Sequence, residues 1–263
     1  MDLPKNAFKQ RLANKEKLIG SWLMSGSPVI AEAMGCVGFD YLVLDMEHVA
    51  IDVPDALAML QAIEASGTPA LVRLAWNDLV LVKRILDAGA QSIMLPYVQS
   101  ADEARRAVSY AHFPPAGVRG VAGLHRGSRW GNVKNYLKEA DREIMVTVQL
   151  ETLEAVEQIE QIAAVDGLDG LFIGPADLAA SMGLLGDMNN SKVQELLERG
   201  ARYCNKIGKP IGIVAGTPEM SKRYVDYGFD HVAVGIDVGM MVGRANEYLS
   251  AMREQKPKAV GGY

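Results

Sequence analysis

The stretch AVEQIEQIAAVDGLDGLFIGPADL, residues 155–178, shows the unit from which the chain is built. Val156, Ile159, Ile162 and Ala163 recur at helical spacing and make one apolar face, so residues 153–165 read as a helix. Gly167 follows at the kind of turn into a strand that often needs positive φ. GLFIG (170–174) is then apolar throughout instead of alternating, which marks a strand buried on both faces of a parallel sheet. Behind it, Gly174-Pro175 followed by Asp177 reads as the opening of another helix.

The unit repeats. Seven further aliphatic runs punctuate the chain: LIGSWLM (18–24), YLVLD (41–45), PALVRL (69–74), SIMLPYV (92–98), IMVTVQLE (144–151), PIGIVAG (210–216) and HVAVGID (231–237). Helix signals lie between them, with Ser100/Glu103 and Ser191/Gln194 as capping boxes and Thr217-Pro218 as N-cap and first helical residue. Eight strand–helix units in 263 residues fit a (β/α)8 barrel, an α/β fold in which the residues after each strand form one functional face. A doubly wound sheet is the competing arrangement. The length permits two domains at about 100–200 residues each, but barrels of this kind run to about 250 residues as one. No linker interrupts the pattern, so residues 1–263 read as a single domain with only the tail KPKAVGGY (256–263) frayed. Two long connections, one over about 99–143 containing HFPPAGVRGVAGLHRGSRWGN and one containing GLLGDMNNS, are expected to hang over the functional face.

Composition removes several classes of function. With 49% hydrophobic and 22% charged residues the chain buries a large core and is not disordered. A net charge of −5 with no basic block lacks the electrostatic footprint of a nucleic-acid binder. No apolar run reaches the ~18 residues of a membrane span, and MDLPKNAFKQRLANKEK lacks the apolar centre of a signal peptide, so a cytoplasmic protein without a membrane partner is expected. Cys36 and Cys204 read as buried free thiols in helices, which suits a reducing compartment.

Polar residues at the C-terminal ends of the runs make a short list: Trp22, Asp45, Glu47, His48, Arg73, Gln149, Glu151 and Asp177. A barrel brings them into one pocket. Glu151 and Asp177 are hard oxygen ligands, too few for an all-protein cage, and suit a divalent cation such as Mg2+ or Mn2+ that keeps positions open for water and substrate. The alternative is that each is a helix-capping acid. His48 reads equally as a base or as a turn residue. Arg73 needs anionic partners, either Asp45 or Glu47 in a salt bridge or the charge developing on a substrate oxygen. His112 and His231 read as structural, while His125 is placed to reach the site from its loop. No lysine ends a strand, which removes a Schiff-base mechanism, and no GxGxxG or GxxxxGK[ST] supports nucleotide binding.

Taken together, GFDYLVLDMEHVAID (38–52), VRLAWND (72–78), ILDAGAQSIMLPYVQSADEA (85–104), FPPAGVRGV (113–121), VQLETLEAV (148–156), DGLFIGPADLAASMG (169–183) and HVAVGID (231–237) resemble the metal-dependent pyruvate aldolases of the HpcH/HpaI group. The resemblance runs from about residue 8 to 252. It implies a barrel that assembles as a homohexamer with its C-terminal helix exchanged between subunits. It also implies that Glu151 and Asp177 hold a divalent cation (Mg2+, Mn2+ or Co2+) which chelates pyruvate, and that Arg73 contacts the enolate oxygen. By the same resemblance His48, paired with Asp87, is the base acting through a water on the metal, with Asp45 and Glu47 behind it. Trp22, Gln149, Gly174, Pro175 and Ala176 would shape the pyruvate pocket. The loop VAGLHRGSRW (121–130) is slightly shorter than the family form, which bears on the acceptor aldehyde. The implied reaction is reversible cleavage of a 4-hydroxy-2-oxoacid to pyruvate, or hydroxypyruvate, and an aldehyde. Two other readings remain at this stage: an acyl-CoA lyase using the same enolate chemistry, for which no basic CoA-phosphate site is visible, and a non-catalytic barrel that binds an oxoacid.

Overall fold

All eight aliphatic runs form strands, and the reason is visible in how their side chains divide. The computed structural model describes residues 1–256; the tail expected to fray, 256–263, lies outside the described residues apart from Lys256. The chain runs α1 (Ala7–Ala13), β1 (Leu18–Leu23), α2 (Pro28–Cys36), β2 (Tyr41–Asp45), α3 (Val53–Ser66), β3 (Ala70–Arg73), α4 (Leu79–Asp87), β4 (Ser92–Leu95), α5 (Ala101–Ala111) and α6 (Tyr136–Glu143). It continues with β5 (Met145–Leu150), α7 (Leu153–Glu157), α8 (Ile159–Ala163), β6 (Gly170–Ile173), α9 (Pro175–Ser181), α10 (Ser191–Ile207), β7 (Ile211–Ala215), α11 (Pro218–Tyr227), β8 (His231–Ile236) and α12 (Asp237–Met252). The strands are parallel and pair in chain order, and β1 against β8 closes the barrel. Tyr41, Val43, Leu71, Met94, Met145 and Phe172 fill the inside, while their neighbours Leu42, Leu44, Val72, Ile93, Val146 and Leu171 pack outward under the helices. Apart from Ile19 of β1 and the last three residues of β8, both faces of the strands are thus dry, and no polar alternation survives in the sequence.

The N-terminal end is sealed by α1. Phe8, fully buried, lies 4.7 Å from the Tyr41 ring. Asn6 caps α1 by accepting the Lys9 N–H at 3.0 Å and donates its amide to Ser92 Oγ at 2.8 Å. His231, read as structural, is buried beneath this plug with Nδ1 3.1 Å from the Tyr41 hydroxyl; burial pushes its pKa down to about 3, so the ring is neutral. A methyl group at Gly212 would stand 2.1 Å from the same ring. Gly212→Ala is therefore expected to cost about 1–3 kcal/mol through overpacking. The measurement is the urea midpoint, and an unchanged midpoint would mean that the His231 ring has room to yield.

Several local expectations change. Residues 153–165 form two short helices, α7 and α8, separated where Gln158 takes φ −92°, ψ 11°. Asn190, not Ser191, caps α10 by accepting the Lys192 N–H at 3.2 Å, and Gln194 instead donates its side-chain amide to Met188 O at 2.7 Å. Ser100 caps α5 as expected, but the Glu103 carboxylate returns to the Gln99 N–H at 2.7 Å rather than to Ser100 itself. Cys204 is buried, whereas Cys36, the last residue of α2, is exposed.

The larger correction concerns the first long connection. Only residues 96–100 lie at the C-terminal end of β4; α5 then carries the chain about 16 Å back, at about 1.5 Å per residue over its 11 residues, to the N-terminal end of the barrel. There Arg126 donates to Ala88 O at 2.9 Å, the Gly127 N–H donates to Asp87 O at 3.1 Å, and the Lys134 N–H donates to Met1 O at 3.3 Å. HFPPAGVRGVAGLHRGSRWGN therefore does not overhang its own chain's functional face. The second connection, 182–190, joins α9 to α10 at the C-terminal end, as expected. Helix α12 buries only Asp237 and Ser250, leaving Met241, Tyr248, Leu249 and Met252 exposed. Among the described residues no helix is long and apolar enough to cross a membrane.

Candidate active site at the C-terminal ends of the strands

Strand register builds the site from its base. Asp45 ends β2 directly beside Arg73 at the end of β3. Neither residue is accessible, at 0% and 2% exposure, so each needs the other. The guanidinium donates Nε to Asp45 Oδ1 at 2.9 Å and Nη2 to Oδ2 at 2.8 Å, a two-point grip that only arginine offers. Burial alone would raise the Asp45 carboxyl, but these hydrogen bonds prevail and hold it below the ordinary range. Nη1 of Arg73 meets Glu47 Oε2 at 2.8 Å, and the Trp22 indole stacks 4.7 Å from the guanidinium carbon. Arg73 is thus fixed in position and direction. Both partners weighed for it in the sequence, Asp45 and Glu47, are engaged together.

Glu151 follows β5 and is 3% exposed. It does not cap α7; Thr152 does, accepting the Ala155 N–H at 3.2 Å. Its carboxylate instead accepts the Tyr97 N–H at 2.6 Å on Oε1 and the Gln149 amide at 2.8 Å on Oε2. Burial first, and then the negative charge of Glu47, push its pKa up to about 7, with Asp177 adding to the effect. Burial likewise raises the Glu47 carboxyl, despite the charge of Arg73. Asp177 lies in the opening turn of α9. A methyl group at Gly174 would stand 2.9 Å from both Glu151 Oε2 and Gln149 Nε2, so the absence of a side chain there leaves the carboxylate its space. Gln149 Oε1 is buried without a hydrogen-bond partner.

Asp45 and Glu47 thus pair with the guanidinium of Arg73, and the charges of Glu47, Glu151 and Asp177 act on one another beside it. Among the described residues no cluster of three or more His, Cys, Asp or Glu side chains can cage a metal ion. A cation held by Glu151 and Asp177 would therefore complete its shell with water and substrate, and the raised Glu151 carboxyl is the charge it would relieve.

The structure brings together Trp22, Asp45, Glu47, Arg73, Gln149, Glu151, Gly174, Pro175, Ala176 and Asp177 at this end. His48 joins them at the mouth, with its side chain 53% exposed and Nε2 4.0 Å from Glu47 Oε2. Asp87 does not join them. It ends α4 at the opposite end of the barrel, where its Oδ1 accepts from Arg119 Nη2 at 2.7 Å and stands 3.6 Å from His125 Nε2. The expected His48–Asp87 pair is therefore not made within one chain, and His125, packed against the Tyr136 ring, does not reach its own chain's site. Three residues outside the expected set shape this face. Tyr97 supplies a backbone donor to Glu151, Trp76 stacks on the Tyr97 ring, and Asp237 accepts the Met24 and Ser25 N–H groups at 2.8 and 3.1 Å, tying β8 to the end of β1. Only Asp237 had a signal, as the acid that closes the run HVAVGID.

Comparison with known proteins shows the family. Residues 18–243 match the family described as HpcH/HpaI aldolase/citrate lyase. The chain is 45% identical over 243 residues to a 2-dehydro-3,6-dideoxy-6-sulfogluconate aldolase of Pseudomonas putida, covering 92% of this chain and 95% of that protein. It is 44% identical over 241 residues to a hydroxypyruvate/pyruvate aldolase of Sagittula stellata, with the same coverage, 92% and 95%. The crystal structure of an HpcH/HpaI aldolase/citrate lyase family protein from Burkholderia cenocepacia superposes with a TM-score of 0.91 at 39% identity, over 95% of this chain and 100% of that one. With the barrel, the strand-end carboxylates and the buried arginine in place, the chain belongs to the HpcH/HpaI aldolase/citrate lyase family.

Proposed function

We propose that the protein is a carbon–carbon lyase, a divalent-metal-dependent aldolase that reversibly cleaves 4-hydroxy-2-oxoacids into pyruvate, or hydroxypyruvate, and an aldehyde. The observation that carries this reading is Glu151, buried beside Glu47 and Asp177 with its carboxyl raised to about 7, facing a fixed guanidinium. Glu151 and Asp177 would hold the cation, and oxygen ligands of this kind suit Mg2+, Mn2+ or Co2+. When bound, the cation supplies Lewis-acid stabilisation of charge on the oxoacid oxygens. Arg73, held by Asp45 and Trp22, presents positive charge to the developing enolate oxygen without having to reorganise. Gln149 keeps Glu151 oriented. The opening turn of α9, Pro175–Asp177, offers backbone N–H groups of Ala176 and Asp177 to the oxoacid carboxylate, since a helix start leaves such groups without intrahelical partners.

His48 is the base. In cleavage it takes the proton of the C4 hydroxyl; the C3–C4 bond breaks, its electron pair passes into the enolate as the aldehyde leaves, and His48 returns the proton to C3 to give pyruvate. Exposure of the ring at the mouth suits proton exchange with solvent, and a base of this kind typically contributes ~10²–10⁴ in rate. Incubation of the enzyme with pyruvate in D2O is expected to exchange the C3 protons, to stop with a chelator, and to resume with excess Mg2+, Mn2+ or Co2+. Exchange that proceeds equally fast in chelator would overturn the metal-dependent mechanism.

The reading extends to subunit assembly. The apolar exposed side of α12, together with Ile19 of β1 at 36% exposure, supports a C-terminal helix exchanged between copies in a homohexamer. Asp87 stands at the far end of its own barrel, so the pairing with His48 implied by the family resemblance requires a second copy.

A further inference from the structure

We propose that Trp76 and Tyr97 form an aromatic wall of the acceptor site, selecting aldehydes that carry an aryl group. The inference rests on the aldolase reading above. The base of the pocket is filled with carboxylates and Arg73, an environment for a small anionic donor. The acceptor must meet that donor from the open end, where Tyr97, in the loop after β4, is tied to Glu151 by its own N–H, 2.6 Å from Glu151 Oε1. Trp76, three residues past Arg73, stacks on it with centroids 5.8 Å apart and planes 25° apart. The two rings therefore belong to the loops that follow the two strands beside the donor pocket, β3 and β4.

Both rings pay for their position. They remain 54% and 47% exposed, although aromatic surface of this size is normally buried. Tyr97 also adopts φ +53°, a left-handed conformation that a residue of its bulk rarely takes. That backbone turn is what aims its N–H at Glu151, and strain of this kind gathers at ligand clamps. A stacked pair held half in water, one of its rings on the residue whose N–H meets Glu151, offers a π-face that suits a planar apolar group.

The test compares kcat/KM for benzaldehyde with that for glycolaldehyde, using pyruvate as donor and the intact oligomer. Trp76→Ala should lower the benzaldehyde-to-glycolaldehyde ratio roughly 3- to 10-fold, and Trp76→Phe, which keeps a ring, should retain most of it. Tyr97→Asn removes the ring while keeping a residue that tolerates the left-handed backbone, and should lower the same ratio. A ratio unchanged in Trp76→Ala, in an enzyme that still exchanges pyruvate protons, overturns the aromatic wall and leaves the aldolase reading standing. A change in oligomer mass by light scattering with an unchanged ratio also overturns it, assigning the rings to a subunit contact. Failure of the wild-type enzyme to exchange pyruvate protons at all removes both readings together.

Discussion

Glu151→Gln should abolish chelator-sensitive proton exchange on pyruvate while leaving the barrel folded. The amide is isosteric and keeps an oxygen for the Tyr97 N–H, which now donates at 2.6 Å to Glu151 Oε1. The other terminus becomes a donor and can serve Gln149 Oε1, which is buried without a partner, once the Gln149 amide turns over. No hydrogen bond is lost, but one of two cation ligands is. The pH dependence gives a second readout. With its folded pKa raised to about 7, Glu151 favours the folded state fully below its unfolded value near 4.5, and that stability is lost as pH rises through 7. For a group this deeply buried the loss amounts to about 3 kcal/mol at about 1.4 kcal/mol per unit. Wild-type enzyme in chelator should therefore melt progressively lower from pH 5 to pH 8 relative to Glu151→Gln, and added cation should erase the difference. His231 acts the other way, because its lowered pKa gives stability present above about 6.5 and lost toward 3, but it is common to both proteins and cancels. Chelator-sensitive exchange that survives in Glu151→Gln would remove Glu151 from the ligand set.

The fold was legible because burial on both faces writes itself into a strand as an unbroken aliphatic run. Every one of the eight runs became a strand, and the acids and arginine at their ends converged as a barrel requires. What the residues did not disclose depended on direction and on partners far apart in sequence. The helix at Ser100 was visible, yet its 11 residues return the chain to the other end of the barrel, so the loop that follows it lies far from the face that β4 opens. Asp87 ends a helix, and a helix in this fold ends at the face opposite the site, which leaves no contact with His48 within one chain. Tyr97 is silent in the sequence for a different reason. Its contribution is a backbone N–H aimed by a positive φ, and neither property belongs to tyrosine as a residue type. Trp76 sits in the recognised segment VRLAWND, but its stacking partner is 21 residues away on another loop.

Arg73→Lys should lower kcat about 10²–10³-fold while leaving a folded, less stable protein, because one side chain performs two tasks that lysine cannot combine. Lysine supplies one compact charge. It cannot span both oxygens of Asp45 at 2.9 and 2.8 Å and also reach Glu47 Oε2 at 2.8 Å. Asp45, fully buried, would be left partly unpaired, at about 1–3 kcal/mol for the missing hydrogen bond, and Arg73→Ala would cost about 3–5 kcal/mol as a broken buried pair. A loss of rate in either variant has two possible origins, a misplaced charge or a loosened site. The double replacement Arg73→Met with Asp45→Leu separates them. It removes both buried charges and fills their space, so the urea midpoint should recover most of what Arg73→Ala loses, as happens when hydrophobic groups replace a buried ion pair. Proton exchange should not recover, because no guanidinium faces the enolate oxygen. Exchange within tenfold of wild type in Arg73→Lys, or its return in the double variant, would reduce the arginine to a buried strut between β2 and β3.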